Sequence, residues 1–310
     1  MTGAPGMDDI RYADLQVNGA MGVDFSSPEL TEDQFLRAVE HIFATGTYLF
    51  LPTLVTSPKD VYFRNVALMR QAVVRHGLSG RIPGVHLEGP FISLRPGAVG
   101  AHDPANVSVP DIGFFDELME HSCGSVKLMT IAAEIPGMAE FISHAAERGV
   151  IISCGHQLAR SGDLEVAAAA GAKLLTHLGN GCPNLLDRHD NPILSGMACD
   201  KLAAMIIADG HHLPPELIKC IIRVKGPERV IVTSDAAPIA GLPPGHYNCW
   251  NNDAVLEPDG LFHNPAKGCL VGSSASIRDC ANYLRTLDFV SEADIVKMTS
   301  ENPLALISGC

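Results

Sequence analysis

Short apolar runs alternate with longer stretches in which hydrophobic residues recur every three or four positions, and this alternation holds along most of the chain. The apolar runs read as strands over 13–19, 47–54, 82–89, 125–134, 149–156, 172–179, 202–210 and 229–236. They read as near-continuous apolar runs, the pattern of a parallel sheet covered on both faces. Between them, stretches such as TEDQFLRAVEHIFATG, PKDVYFRNVALMRQAVVRHG, IPGMAEFISHAAERG and DLEVAAAAGA have the spacing of amphipathic helices. Several open on Ser, Thr, Asp or Pro and close on Gly, the usual start and stop signals. Strand–helix units repeated in this way predict an α/β fold, a closed (β/α)8 TIM barrel forming one domain over residues 1–310. An open doubly wound sheet is the alternative, but no GxGxxG follows the first strand. One long interruption, residues 241–274, is rich in Gly, Pro and Asn, and reads as a β-hairpin insertion after strand eight.

Composition narrows the function classes. The chain has 310 residues and a formal net charge of −13, which argues against nucleic acid or an anionic membrane as the main partner. A small anionic substrate stays compatible, because one local Arg or a helix N-terminus can hold it. Nine Cys are scattered singly with no CxxC, the usage of reduced thiols and of a cytoplasmic protein. The opening MTGAPGMDDIRYADLQ lacks a basic segment followed by an apolar one, so no signal peptide is expected. No apolar run reaches the roughly 18 residues of a membrane span.

The chemistry gathers at the strand ends. Barrel active sites lie at the C-terminal face, and here the ends read Gln16 and Asn18, Thr53, Glu88, Glu134, His156, His177, Asp209 with His212, and Asp235. Singly, each is an ordinary loop edge, core histidine or helix cap. Together they describe a shared pocket. Glu88, His156 and His177 are a two-imidazole, one-carboxylate set that suits a catalytic divalent metal, with zinc favoured and iron or cobalt compatible. Asp235 is placed to act as general base and acid. His86 shares the parity of Glu88 and is assigned to packing or support, with Glu134 as a further supporting group.

These residues carry a resemblance. The motifs VHLEGPFIS, GAH, SCGH, LLTHLGNG, IIADGHH, VTSDA and CLVGSS, taken in order from Ala13 to Ile307, resemble those of the N-acetylglucosamine-6-phosphate deacetylase family within the metal-dependent amidohydrolases. The resemblance implies an amidohydrolase-type barrel that removes acetate from an N-acetyl amino sugar phosphate, most simply N-acetylglucosamine 6-phosphate. It makes Glu88, His156 and His177 the metal ligands and Asp235 the catalytic acid/base, with His212 assisting at the acetamido group. Gln16 and Asn18 stand where many amidohydrolases have His-x-His, which implies one essential metal and places both residues beside it and its water. Ala101, His102, Asn180, Gly181, His212 and Leu270, Val271 and Gly272 match substrate-contacting positions. Arg188 falls where the family has an Arg that reaches the phosphate of the neighbouring subunit's substrate, which implies a homodimer.

The sequence also departs from the family. Its members carry a small β-sandwich from segments flanking the barrel, whereas this chain starts near strand one and stops at NPLALISGC, so a bare barrel is expected. Where the family has HLFNAM, this chain has HLGNGCPN, losing a Phe and a Met beside the sugar. The altered loop keeps open an amidohydrolase acting on another N-acyl or cyclic amide. A non-catalytic scaffold is the third reading, and the intact Glu88, His156, His177 and Asp235 argue against it.

Overall fold

A computed structural model describes residues 10–309. The leader reading on residues 1–9 falls outside them, as does Cys310. Eight parallel strands follow one another around the barrel: β1 (Tyr12–Val17), β2 (Thr47–Val55), β3 (Val85–Glu88), β4 (Val126–Ile131), β5 (Ile151–Cys154), β6 (Leu174–Leu175), β7 (Ala203–Ile207) and β8 (Val230–Thr233). The seam between first and last is joined by a parallel bridge from Val17 to Ala236 and by Asn18 N–H donating to Ala236 O at 2.8 Å. Buried Asp14 crosses the same seam, accepting from Thr233 Oγ1 at 2.6 Å and Ser234 N at 3.1 Å.

Helices cover the outside, and their sequences explain their limits. The first, α1 (Glu32–Ala44), begins with Thr31 and Gln34 in a reciprocal capping box and buries Phe35, Ala38, Val39 and Ile42 on one face. The second, α2 (Lys59–Arg75), buries Val61, Tyr62, Val66, Met69 and Val73 at the same spacing. Among the described residues no helix is long and apolar enough to cross a membrane.

The barrel interior is layered because inward-facing positions recur every second residue. Leu15, Leu51, Leu128, Ile151, Leu174, Met205 and Ile231 form the lowest layer, closed from below by Leu306 and Ile307. Two residues further along the strands the side chains become polar. His86 Nδ1 lies 3.3 Å from Thr53 Oγ1 and its Nε2 lies 2.8 Å from Thr130 Oγ1. Thr130 Oγ1 meets Thr176 Oγ1 at 2.8 Å, and Thr176 donates to Ser153 Oγ at 2.6 Å. This belt is fully buried and hydrogen-bonded, as buried polar groups must be. His86 therefore supports the layer beneath Glu88.

The insertion after β8 is larger than the hairpin expected from sequence. It forms a four-stranded antiparallel meander of β9 (Gly245–Cys249), β10 (Asn252–Leu256), β11 (Phe262–Asn264) and β12 (Cys269–Leu270). Its small core of Cys249, Ala254, Leu256, Phe262 and Val271 packs on Ala237 and Ile239. The last two strands span three and two residues, too few to carry a readable alternation.

Candidate functional site

Glu88 ends β3, while His156, His177 and Asp235 each lie two residues past the ends of β5, β6 and β8. Those last three are non-glycine residues in the left-handed region, with φ of 50°, 30° and 51°. Such conformations cost about 1–3 kcal/mol each and persist where surrounding structure enforces them. Here they turn each chain sharply out of the sheet at the point where its side chain reaches the barrel mouth.

Glu88 Oε1 lies 3.0 Å from His177 Nε2 and 3.2 Å from His156 Nε2, and the two Nε2 atoms are 3.1 Å apart. Four ligands held tetrahedrally at about 2.0–2.1 Å from an ion stand about 3.3 Å from one another, so these spacings fit a divalent metal. Hydrogen-bonding sets the tautomers. His156 Nδ1 faces Ala98 O at 2.8 Å and donates to it, which leaves the Nε2 lone pair free to ligate. His102 is arranged in the opposite sense. Its Nδ1 accepts from Thr56 N at 3.2 Å, so in the neutral ring Nε2 carries the proton and acts as a donor, 3.2 Å from His156 Nε2. Burial, then His156, pushes His102 down to about 3, which keeps it neutral. Burial alone would raise Glu88, but His156 and His177 outweigh it and hold the carboxyl well below the usual range.

Gln16 and Asn18 take a defined role. The register of β1 shifts between Asp14 and Val17, and such shifts re-aim side chains. Gln16 Nε2 donates to Glu88 Oε1 at 2.7 Å and to Asp235 Oδ1 at 2.9 Å, and Asn18 Nδ2 donates to Asp235 Oδ1 at 2.8 Å. Rotating either amide would set oxygen against carboxylate, so the orientation is fixed even though Gln16 Oε1 and Asn18 Oδ1 are buried with no partner among the described residues. Two donors on Oδ1 leave Oδ2 as the Asp235 oxygen without a partner among the described residues. Burial and the Glu88 charge raise Asp235 well above the usual carboxylate range, with Asn18 opposing.

A cavity of about 430 Å³ opens above these groups. It is bordered by the expected Ala101, His102, Asn180, Gly181, His212, Leu270 and Gly272. Val271, between the last two, turns into the meander core instead. Arg188 is exposed and does not border the cavity. Glu134 accepts from Leu158 N at 2.7 Å and so braces the loop that follows His156.

Two further residues join the site. Asp209 Oδ2 lies 2.7 Å from His212 Nδ1 and accepts from Ser273 Oγ at 2.8 Å, while Asp209 Oδ1 accepts from His211 and His212 N–H, both at 2.9 Å. Desolvation opposes ionisation of Asp209, but His212 and these amides hold it well below the usual range. The other is Trp250, at the tip between β9 and β10, which borders the cavity. Its sequence signal was a single Trp inside a segment otherwise rich in Gly, Pro and Asn.

No family model matches the chain. It is 31% identical over 309 residues to the N-acetylglucosamine-6-phosphate deacetylase of Bos taurus, covering 96% of this chain and 73% of that protein. It is 28% identical over 299 residues to the N-acetylgalactosamine-6-phosphate deacetylase of Escherichia coli O157:H7, covering 96% and 77%. Among solved structures, a mutant N-acetyl-D-glucosamine-6-phosphate deacetylase from Mycobacterium smegmatis in complex with N-acetyl-D-glucosamine-6-phosphate superposes with a TM-score of 0.87 at 27% identity, over 96% of this chain and 77% of that one. Similarity this extensive, on a barrel that brings Glu88, His156, His177 and Asp235 to one mouth, establishes that the chain belongs to the N-acetylglucosamine-6-phosphate deacetylase family.

Proposed function

We propose that the protein hydrolyses the acetamido group of N-acetylglucosamine 6-phosphate to glucosamine 6-phosphate and acetate. The observation that carries this reading is the convergence of Glu88 Oε1, His156 Nε2 and His177 Nε2 opposite Asp235, beneath a cavity large enough for a sugar. These three atoms would hold one divalent cation, with zinc favoured by the tetrahedral spacing. When bound, that ion supplies Lewis acidity that polarises the amide carbonyl and lowers the pKa of water.

The remaining steps belong to the chain. Asp235 Oδ2 takes the proton of the attacking water, while Gln16 and Asn18 hold Oδ1 in place. The same carboxyl then delivers that proton to the departing amine nitrogen, which must leave neutral. His102 offers a neutral Nε2–H to substrate oxygen. Asp209 fixes His212 so that its Nε2 faces the sugar side of the cavity. Ala101, Asn180, Gly181 and the Leu270–Gly272 backbone bound the hexose. Arg188, exposed beyond the cavity, suits a phosphate on a second copy's substrate, in keeping with a homodimer of the cytoplasm.

The test is acetate release by zinc-loaded protein from N-acetylglucosamine 6-phosphate, beside its C4 epimer N-acetylgalactosamine 6-phosphate and the unphosphorylated sugar. Release from the phosphorylated glucosamine derivative, lost by about a thousandfold or more in Asp235→Asn with metal retained, is the expected result. No release from it, with one metal bound per chain, would overturn the substrate and leave the hydrolase chemistry to another N-acyl compound.

A further inference from the structure

The β9–β10 turn carries a residue that its geometry disfavours. Trp250 and Asn251 both have positive φ, 50° and 58°, which makes the two-residue connection a type I′ turn. Such turns select Asn-Gly or Asp-Gly, because a bulky side chain in the left-handed region crowds the backbone. A Trp at the first position therefore works against the hairpin that bears it. Backbone strain of this kind is a reason to look for what the side chain does.

Its surroundings answer that question. Trp250 packs partly against the meander core and also borders the catalytic cavity. Histidines aside, it is the only aromatic residue on that border among the described residues. The loop above His177 contributes Gly179, Gly181, Cys182, Pro183 and Leu186, none of which offers an aromatic face. The tip is also tethered. Fully buried Asn252 donates through Nδ2 to Trp250 O and to Ala101 O, both at 3.0 Å, and accepts from Lys267 Nζ at 2.7 Å. The tip is thus fixed to the segment that carries Ala101 and His102.

We propose that Trp250 is the platform for the pyranose ring, a specificity-determining residue that stacks its indole on the C–H face of the hexosamine while the metal set and Asp235 act at C2. This rests on the deacetylase reading above. Sugars present a polar rim and an apolar face, and an aromatic ring in a cavity recognises that face without competing for the hydroxyls. The platform binds the ring and not the reacting bond, so its loss should weaken binding far more than turnover.

Trp250 is the only tryptophan in the chain, which makes the proposal directly visible. In zinc-loaded Asp235→Asn protein, N-acetylglucosamine 6-phosphate should change the tryptophan emission saturably, and N-acetylglycine should not. In the otherwise native enzyme, Trp250→Ala should raise KM about tenfold while kcat moves less than about threefold, and Trp250→Phe should stay near native. Trp250→Gly suits the turn's backbone and should show the same KM loss, which separates the missing ring from a damaged hairpin. Unchanged emission at saturating substrate, or native KM in both the Ala and Gly variants of an active enzyme, would overturn the platform and leave the deacetylase reading standing. Failure of the native enzyme to release acetate would overturn that reading and the platform with it.

Discussion

At the scale of single residues, the site is built from pairs in which one group fixes another. Asp209 has the most to lose among those that touch no substrate. Replacing it with Asn removes the charge beside His212 Nδ1 and frees the ring to turn, while the Glu88, His156 and His177 set stays intact. Asp209→Asn should therefore lower kcat/KM about a hundredfold with metal content unchanged, read by steady-state kinetics beside metal analysis. Loss of the metal in this variant would instead give Asp209 a part in holding the ligand set. The sequence made the ligands legible because a titratable residue closing an apolar run breaks its pattern. It did not reveal pairing: the contact from Asp209 to His212 depends on how the DGHH turn closes. Nor does residue type disclose that the Gln16 and Asn18 amides aim their nitrogens at Asp235.

At the scale of elements, the strands were readable and their ends were not. The run 172–179 reads as one strand, yet the ladder keeps only Leu174–Leu175, because His177 takes a positive φ and leads the chain out of the sheet. The same happens at 229–236, where the ladder stops at Thr233, before Asp235. His177 and Asp235 thus sit just beyond the regular structure that made them findable. The loops above them meet backbone to backbone. A Cβ on Gly97, whose φ is +84°, would lie 2.5 Å from Pro183 Cα. Gly97→Ala should force the 97–102 and 179–184 loops apart, costing about 1–3 kcal/mol of stability and raising KM more than it lowers kcat. Thermal unfolding and steady-state kinetics check both, and native values for each would show that these loops do not depend on close contact.

At the scale of the whole molecule, the layers define what the barrel is for. An apolar base closed by Leu306 and Ile307 and a hydrogen-bonded belt around His86 leave only the uppermost layer for chemistry. The ligand atoms in that layer come from β3 and from the ends of β5 and β6, and they converge only when the barrel is closed. An ion bound there must stabilise the native state and not the unfolded chain. At a free zinc concentration about a hundred times the dissociation constant, the gain is about 2.7 kcal/mol, or a rise in Tm of about 4 °C for a chain of this length. Chelation should reverse the rise. His177→Ala should abolish it by removing a ligand, whereas Arg188→Ala, exposed and away from the three, should retain it in full. A native protein whose Tm ignores both zinc and chelator would mean that the three side chains meet without holding an ion, and the hydrolytic mechanism would lose its electrophile. A zinc-dependent rise that survives in His177→Ala would move the ion to other ligands while leaving the fold unchanged.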